Sequence, residues 1–360
     1  MTRVFNFSAG PAMLPQSVLE HARDELLEYG TSGMSIMEVN HRGDTFAALA
    51  DRSRNQLRRL MAVPDNYRIL FLHGPARNHF AAVPLNLAGA DAVADYVDTG
   101  LWSKMAIEEA ERLVTVNIAA SSREQHYAHI PPLSQWRLSD DSAYVHITPN
   151  ETIGGVEFHQ MPDLGGRVLV ADMSSNILSR PMEVGKFGII YAGAQKNMGI
   201  AGLTLVIVRE DLLGKARPGI PSMLDYQVHA EADSLAATAP TFAWYLAALV
   251  LDWIDAQGGL ESMAALNKRK ADKLYAAIDS SNFYHNPVQA DCRSWMNVPF
   301  TLPSDEMDKA FLSESAEQGL VGLKGHRFVG GMRASIYNAM PEEGVDRLVE
   351  FMGDFMQRHG

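Results

Sequence analysis

The 360-residue chain carries one cysteine, Cys292, and so cannot form an intramolecular disulfide. No CxxC or CxxH pair offers a zinc site, and a reducing compartment is favoured. Long apolar runs are missing as well. The longest, residues 241–254, is too short to span a bilayer and contains Asp252, so it reads as a buried helix and no membrane role is expected. Residues 1–8 reach the Gly10-Pro11 turn before a signal-like apolar stretch develops, and a cytoplasmic location is expected. Positive charge is scarce: a formal net charge of −12 argues against general nucleic-acid binding, which rewards dense basic surfaces. A small anionic substrate stays compatible with it if positive charge is focused locally. His126 and His129 stand i, i+3 with no acidic or cysteine partner, so no metal site is expected.

What is present is enough for a large core. With 47% hydrophobic and 21% charged residues, the chain should form one large and one smaller domain. Residues 16–29 and 46–61 have helical spacing. Strand and helix then alternate over 68–72, 78–87, 92–97 and 102–113, and apolar runs follow at 113–118, 144–147, 168–171, 188–191 and 203–208. Such unbroken runs suit strands covered on both faces, which predicts an α/β protein with a mainly parallel seven-stranded sheet. Residues 198–202 are too few for a helical crossover, so one antiparallel pair is expected there. After Ala256-Gln257-Gly258-Gly259 the pattern turns to a sparser α+β alternation. The expected division is a large domain over 16–258 and a small one made of 1–15 with 259–360.

The chemistry concentrates at strand ends. Val168-Leu169-Val170-Ala171 runs into Asp172, and Gly188-Ile189-Ile190-Tyr191-Ala192-Gly193-Ala194 runs into Gln195-Lys196-Asn197. A lysine presented by a strand can form a Schiff base, and an aspartate on a neighbouring strand end can keep a pyridine nitrogen protonated; together they suit pyridoxal phosphate. Taken singly, such a lysine also reads as a solvated loop residue and such an aspartate as a turn or helix cap. His73-Gly74-Pro75-Ala76-Arg77-Asn78 leads a strand into a helix start, where free N–H groups can hold a phosphate, though an ordinary strand-to-helix turn has the same pattern. Trp102 can stack on a planar ring or serve as a core or interface residue. Thr152 supplies a hydroxyl. All of these follow successive strands, where open α/β sheets place ligands. Elsewhere, His41-Arg42-Gly43 and the stretch from Lys324-Gly325-His326-Arg327 to Arg333 set basic side chains among glycines, a pattern suited to carboxylate or phosphate.

Phe5-Asn6-Phe7-Ser8-Ala9-Gly10-Pro11-Ala12, Val39-Asn40-His41-Arg42-Gly43, the Lys196 segment and Arg333-Ala334-Ser335-Ile336-Tyr337-Asn338 together resemble the phosphoserine aminotransferase family, nearly end to end. The resemblance implies a homodimeric, fold type I, class V aminotransferase using pyridoxal 5'-phosphate. Its expected reaction exchanges an amino group between glutamate and 3-phosphohydroxypyruvate in serine biosynthesis. A second activity on 4-phosphohydroxythreonine in pyridoxine biosynthesis is expected, and a non-catalytic binding protein retaining the fold is the rival. By the same resemblance Lys196 and Asp172 are catalytic, and Trp102 and Thr152 contact the cofactor. Ala76, Arg77 and Gln195 hold its phosphate, which the partner subunit's copy of Thr238 also reaches. His41, Arg42, His326 and Arg327 receive the substrate phosphate or the glutamate side chain, and Arg333 clamps the α-carboxylate. Ala9, Pro75, Ala76 and Ala237 depart from the family pattern; weaker cofactor binding is the expected consequence.

Overall fold

The computed structural model describes residues 3–360. Its strands are β1 (Phe5–Asn6), β2 (Tyr67–His73), β3 (Val93–Asp98), β4 (Thr115–Ser121), β5 (Val145–Ile147), β6 (Leu169–Asp172), β7 (Ile189–Gly193), β8 (Leu203–Arg209), β9 (Asn297–Phe300), β10 (Leu320–Val321) and β11 (Met332–Ser335). The helices are α1 (Gln16–Asp24), α2 (Asp44–Leu60), α3 (His79–Leu87), α4 (Leu101–Ala110), α5 (Tyr226–Glu231), α6 (Thr241–Ala256), α7 (Gly259–Asp279), α8 (Asp305–Glu317) and α9 (Glu342–His359). None is long and apolar enough to cross a membrane.

Seven strands form one sheet in the order β2-β8-β7-β6-β5-β3-β4. The pairs from β7 to β4 are parallel, whereas β8 is antiparallel to both β7 and β2. The single antiparallel pair expected from the short connection is therefore two: β8 returns beside β7, and β2 closes on its other edge. Apolar runs form these strands because both faces are covered. One face packs on α2 and α6, where Trp244 stacks on Phe71 with ring centroids 4.7 Å apart and donates its Nε1–H to Ser53 Oγ at 2.7 Å. The other face packs on α3 and α4 through Phe80, Tyr96, Ile107 and Tyr191. A third core joins Phe7 to α7, α8, α9 and the short strands β9 and β11. Pairing of β1 with β10 ties residues 5 and 6 to that same region.

Helix α1 is shorter than its periodicity predicts, stopping at Asp24. Beyond it the helical stripe is lost: Leu27 is 86% exposed, Tyr29 packs edge-on against Tyr245 of α6 with ring centroids 5.5 Å apart, and Tyr29 N–H bonds the Met34 carbonyl at 2.9 Å. Gly30 and Gly33 then take positive φ, which ends any helical continuation.

The loop after β5 carries Thr152 and is held by a tight approach. Gly155 has φ of +75°, and a Cβ there would lie 2.4 Å from Pro299 Cδ. Its N–H bonds the Glu151 carbonyl at 2.8 Å. Gly155→Ala should therefore lower the thermal midpoint, through a left-handed penalty of about 1–2 kcal/mol plus the clash; an unchanged midpoint by calorimetry would contradict this packing.

Candidate active site

The parallel strands β2, β3, β5, β6 and β7 end on one edge of the sheet, and the segments leaving them enclose a cavity of about 200 Å³. Ala76, Arg77, Trp102, Thr152, Asp172, Gln195 and Lys196 all line it. Seven of the residues singled out from the sequence thus share one space. A wider groove of about 790 Å³ between α1, α2 and α6 holds none of them.

Lys196 is presented by a turn built from small residues. Gly193 N–H bonds Ser174 Oγ at 3.1 Å, and a Cβ on Gly193 would come within 2.6 Å of Gln195 Oε1. Above the turn, Ala12 N–H bonds the Gln195 carbonyl at 2.9 Å, while a Cβ on Gly10 would stand 3.5 Å from Lys196 Cγ. The Lys196 side chain is buried; its Nζ donates to Thr152 Oγ1 at 2.6 Å and lies 5.5 Å from the centre of the Trp102 ring. Burial pulls its pKa down to about 8, helped by Arg333 and opposed by Asp172 and Glu151. A substantial fraction of the amine is then neutral near physiological pH.

Asp172 ends β6 and is buried, with Oδ1 accepting from Ser174 N–H at 3.0 Å. Burial pushes its carboxyl upward, although the Ser174 hydrogen bonds and the Lys196 charge oppose the shift. Glu151, to which the sequence reading gave no role, is fully buried beside them. It accepts from Trp102 N–H at 3.0 Å and Ser103 N–H at 2.8 Å, and burial raises its pKa to about 7.

The substrate candidates divide into two groups. Arg333, on β11, is partly buried with its Nε lacking a partner, and its charge is felt at Lys196. Beside it lies His326, whose pKa is lowered first by burial and then by Arg333 and Arg327. Arg327 is exposed and sits 4.9 Å from the Phe328 ring centre. His41, Arg42 and Thr238 are not among the residues lining the cavity of their own chain. Arg42 and Thr238 are exposed, and His41 Nε2 is buried without a partner.

The cavity fits a single-ring cofactor. It is smaller than the roughly 300–1,000 Å³ of drug-sized sites. Its walls offer an aromatic plane, a buried carboxylate that a protonated ring nitrogen would complement, and two buried polar atoms without partners, Trp102 Nε1 and Thr148 Oγ1. Arg77 and the helix start after β2 supply positive charge and free N–H groups at the rim. Fold and cavity together define a fold type I pyridoxal-phosphate-dependent transferase.

Comparison with known proteins narrows the class. The aminotransferase class-V family pattern matches residues 4–348. A phosphoserine aminotransferase from Hahella chejuensis is 59% identical over 357 residues, 99% of each chain. Among solved structures, phosphoserine aminotransferase from Bacillus circulans subsp. alkalophilus superposes with a TM-score of 0.98 at 46% identity, covering 99% of both chains. The pyridoxal-phosphate-bound phosphoserine aminotransferase from Trichomonas vaginalis gives 0.94 at 43% identity, over 98% of this chain and all of the other. The chain belongs to the class V aminotransferases, within the phosphoserine aminotransferase family, and is a pyridoxal-phosphate-dependent enzyme.

A lysine held near pH 8 should react as a nucleophile well below the range of exposed lysines. In cofactor-free protein, reductive methylation of Lys196 with formaldehyde, followed by peptide mass spectrometry, should rise with a midpoint near pH 8. Since the neutral amine is the reactive form, reactivity increases with pH; a midpoint near the ordinary lysine value of ~10.4 would contradict the desolvation argument.

Proposed function

We propose that the enzyme interconverts 3-phosphohydroxypyruvate plus L-glutamate with O-phospho-L-serine plus 2-oxoglutarate, the transamination of serine biosynthesis. The observation that carries this reading is Arg333, a partly buried guanidinium with an unpartnered Nε, placed where its charge reaches Lys196. An α-carboxylate common to both amino donors would complete it through paired hydrogen bonds. The names borne by the relatives support the phosphorylated substrate.

Bound pyridoxal 5'-phosphate supplies an aldehyde that condenses with amines and a ring that accepts electrons. Asp172 would face the ring nitrogen, Trp102 one face of the ring, and Ala76, Arg77 and Gln195 the phosphate. Thr152 Oγ1 holds Lys196 Nζ at 2.6 Å, so the amine is aimed before substrate arrives. Once free and neutral, that nitrogen takes the proton from the substrate Cα and gives it back in the reverse half-reaction. Arg327 adds positive charge near Arg333, and His326, its pKa lowered by burial and by both arginines, adds a neutral imidazole that can donate one hydrogen bond, a setting for the phosphate or the second carboxylate.

His41, Arg42 and Thr238 would complete the site from a second copy of the chain. Supporting this, they lie outside the cavity lining of their own chain, and Arg42 and Thr238 are exposed. The same reading makes the protein a cytoplasmic homodimer. It assigns 16–258 to cofactor binding and 1–15 with 259–360 to a small domain, in keeping with the separate core around Phe7 and α7–α9. A secondary activity on 4-phosphohydroxythreonine, tied to pyridoxine biosynthesis, is checked by comparing kcat/KM for the two phosphorylated amino acids.

Two variants test the assignment. Lys196→Ala should lower kcat by about 10⁴-fold or more, the upper range for a positioned acid–base group; substantial turnover would refute the role. Arg333→Ala should lower kcat/KM about ten- to a hundredfold for O-phosphoserine and glutamate alike, as expected for a lost charge-assisted hydrogen bond. If only one donor were affected, Arg333 would not be the α-carboxylate clamp.

A further inference from the structure

The amino end of α4 is capped from far away. Gly100 precedes the helix, and Ser103 Oγ accepts from Thr99 N–H and Gly100 N–H, both at 2.9 Å, leaving the N–H groups of Trp102 and Ser103 to be satisfied otherwise. Both go to the carboxylate of Glu151, one oxygen each. Space for that carboxylate has been made: a Cβ on Gly100 would stand 2.3 Å from Glu151 Cδ. The residue after Glu151 is Thr152, whose hydroxyl accepts from Lys196. One buried side chain is therefore bonded to the backbone that presents the aromatic wall, and is adjacent to the residue that holds the amine.

We propose that Glu151 is a positioning residue for the cofactor, fixing Trp102 and Thr152 relative to each other so that ring and amine meet in one orientation. A carboxylate suits the task. Two oxygens accept two N–H groups at once, and a negative charge is stabilised at the amino end of a helix. A carboxamide has a single acceptor, so Glu151→Gln turns an N–H donor toward one of the two backbone N–H groups and pushes that end of α4 away. Trp102 then shifts relative to Lys196. The inference rests on the cofactor's place in the cavity and not on the identity of the phosphorylated substrate.

The experiment uses purified protein loaded with pyridoxal 5'-phosphate. Visible circular dichroism of the bound cofactor and its dissociation constant by absorbance titration are compared between wild type and Glu151→Gln. The thermal midpoint of the cofactor-free forms is recorded alongside. Expected are a dissociation constant raised by about tenfold, equivalent to about 1.4 kcal/mol, and an altered visible dichroic band. A residue that serves only to stabilise the fold would lower the thermal midpoint and leave the dichroism and affinity of the folded fraction at wild-type values; that result overturns the proposal. Should Glu151→Gln fail to fold, Gly100→Ala displaces the same carboxylate without removing it. The same loss of affinity and change of dichroism in that variant supports the proposal, and wild-type values overturn it.

Discussion

The structure is organised around one desolvated amine. Withdrawing Lys196 from water favours its neutral form, and the surroundings keep the effect within useful limits: Asp172 and Glu151 pull the pKa up, Arg333 pushes it down, and the result is about 8. Such a balance requires the groups to be held at fixed separations in a medium of low polarity. The sheet provides this, since β5, β6 and β7 end side by side with both faces covered by helices. Asp172, Thr152 and Lys196 project from backbone with little freedom to adjust.

Arg333 lies on a different pair of strands, and a buried polar network joins it to the sheet. Asn150, in the loop beside Thr152, donates to Ser175 Oγ at 2.7 Å and to Asn297 Oδ1 at 2.9 Å. Asn297 Nδ2 in turn donates to Ser335 Oγ at 2.9 Å and Tyr337 OH at 3.1 Å, and Tyr337 OH reaches the Ala9 carbonyl at 2.8 Å. From α7, buried Lys270 caps the carbonyls of Ile336, Tyr337 and Met340 at 3.0, 2.7 and 3.0 Å. Each buried polar group that is satisfied makes displacement of its partners costly. The arginine is thereby registered against the amine by hydrogen bonds that cross from one core to the other.

Much of this is legible in the sequence, and the parts that are not share a cause. Lys196 and Asp172 stand at the ends of apolar runs, so period and position alone bring them to one edge of a sheet. The seven strands are legible for the same reason, whereas the place of β8 between β7 and β2 depends on which edge accepts it. Glu151 sits in plain view beside Thr152, yet its partners lie on α4, and nothing local says that this helix crosses above it. Residues 25–29 continue a helical spacing, yet Leu27 faces outward and Tyr29 meets Tyr245 from a turn closed by Gly30 and Gly33, so the helix stops at Asp24. The basic pattern at His41 and Arg42 shows in the sequence without saying where it acts, and Thr238 is recognisable only through family resemblance, since none of the three lines the cavity of its own chain.

In the proposed function this cavity, with Lys196 as its amine and Arg333 as its carboxylate clamp, removes the amino group of O-phosphoserine. Protein loaded with pyridoxal 5'-phosphate, mixed with O-phosphoserine in the absence of any keto acid, should lose its visible absorption and gain a near-ultraviolet band, releasing about one equivalent of keto acid per site. A visible band unchanged by O-phosphoserine, but discharged by an unphosphorylated amino acid other than glutamate, would contradict the account.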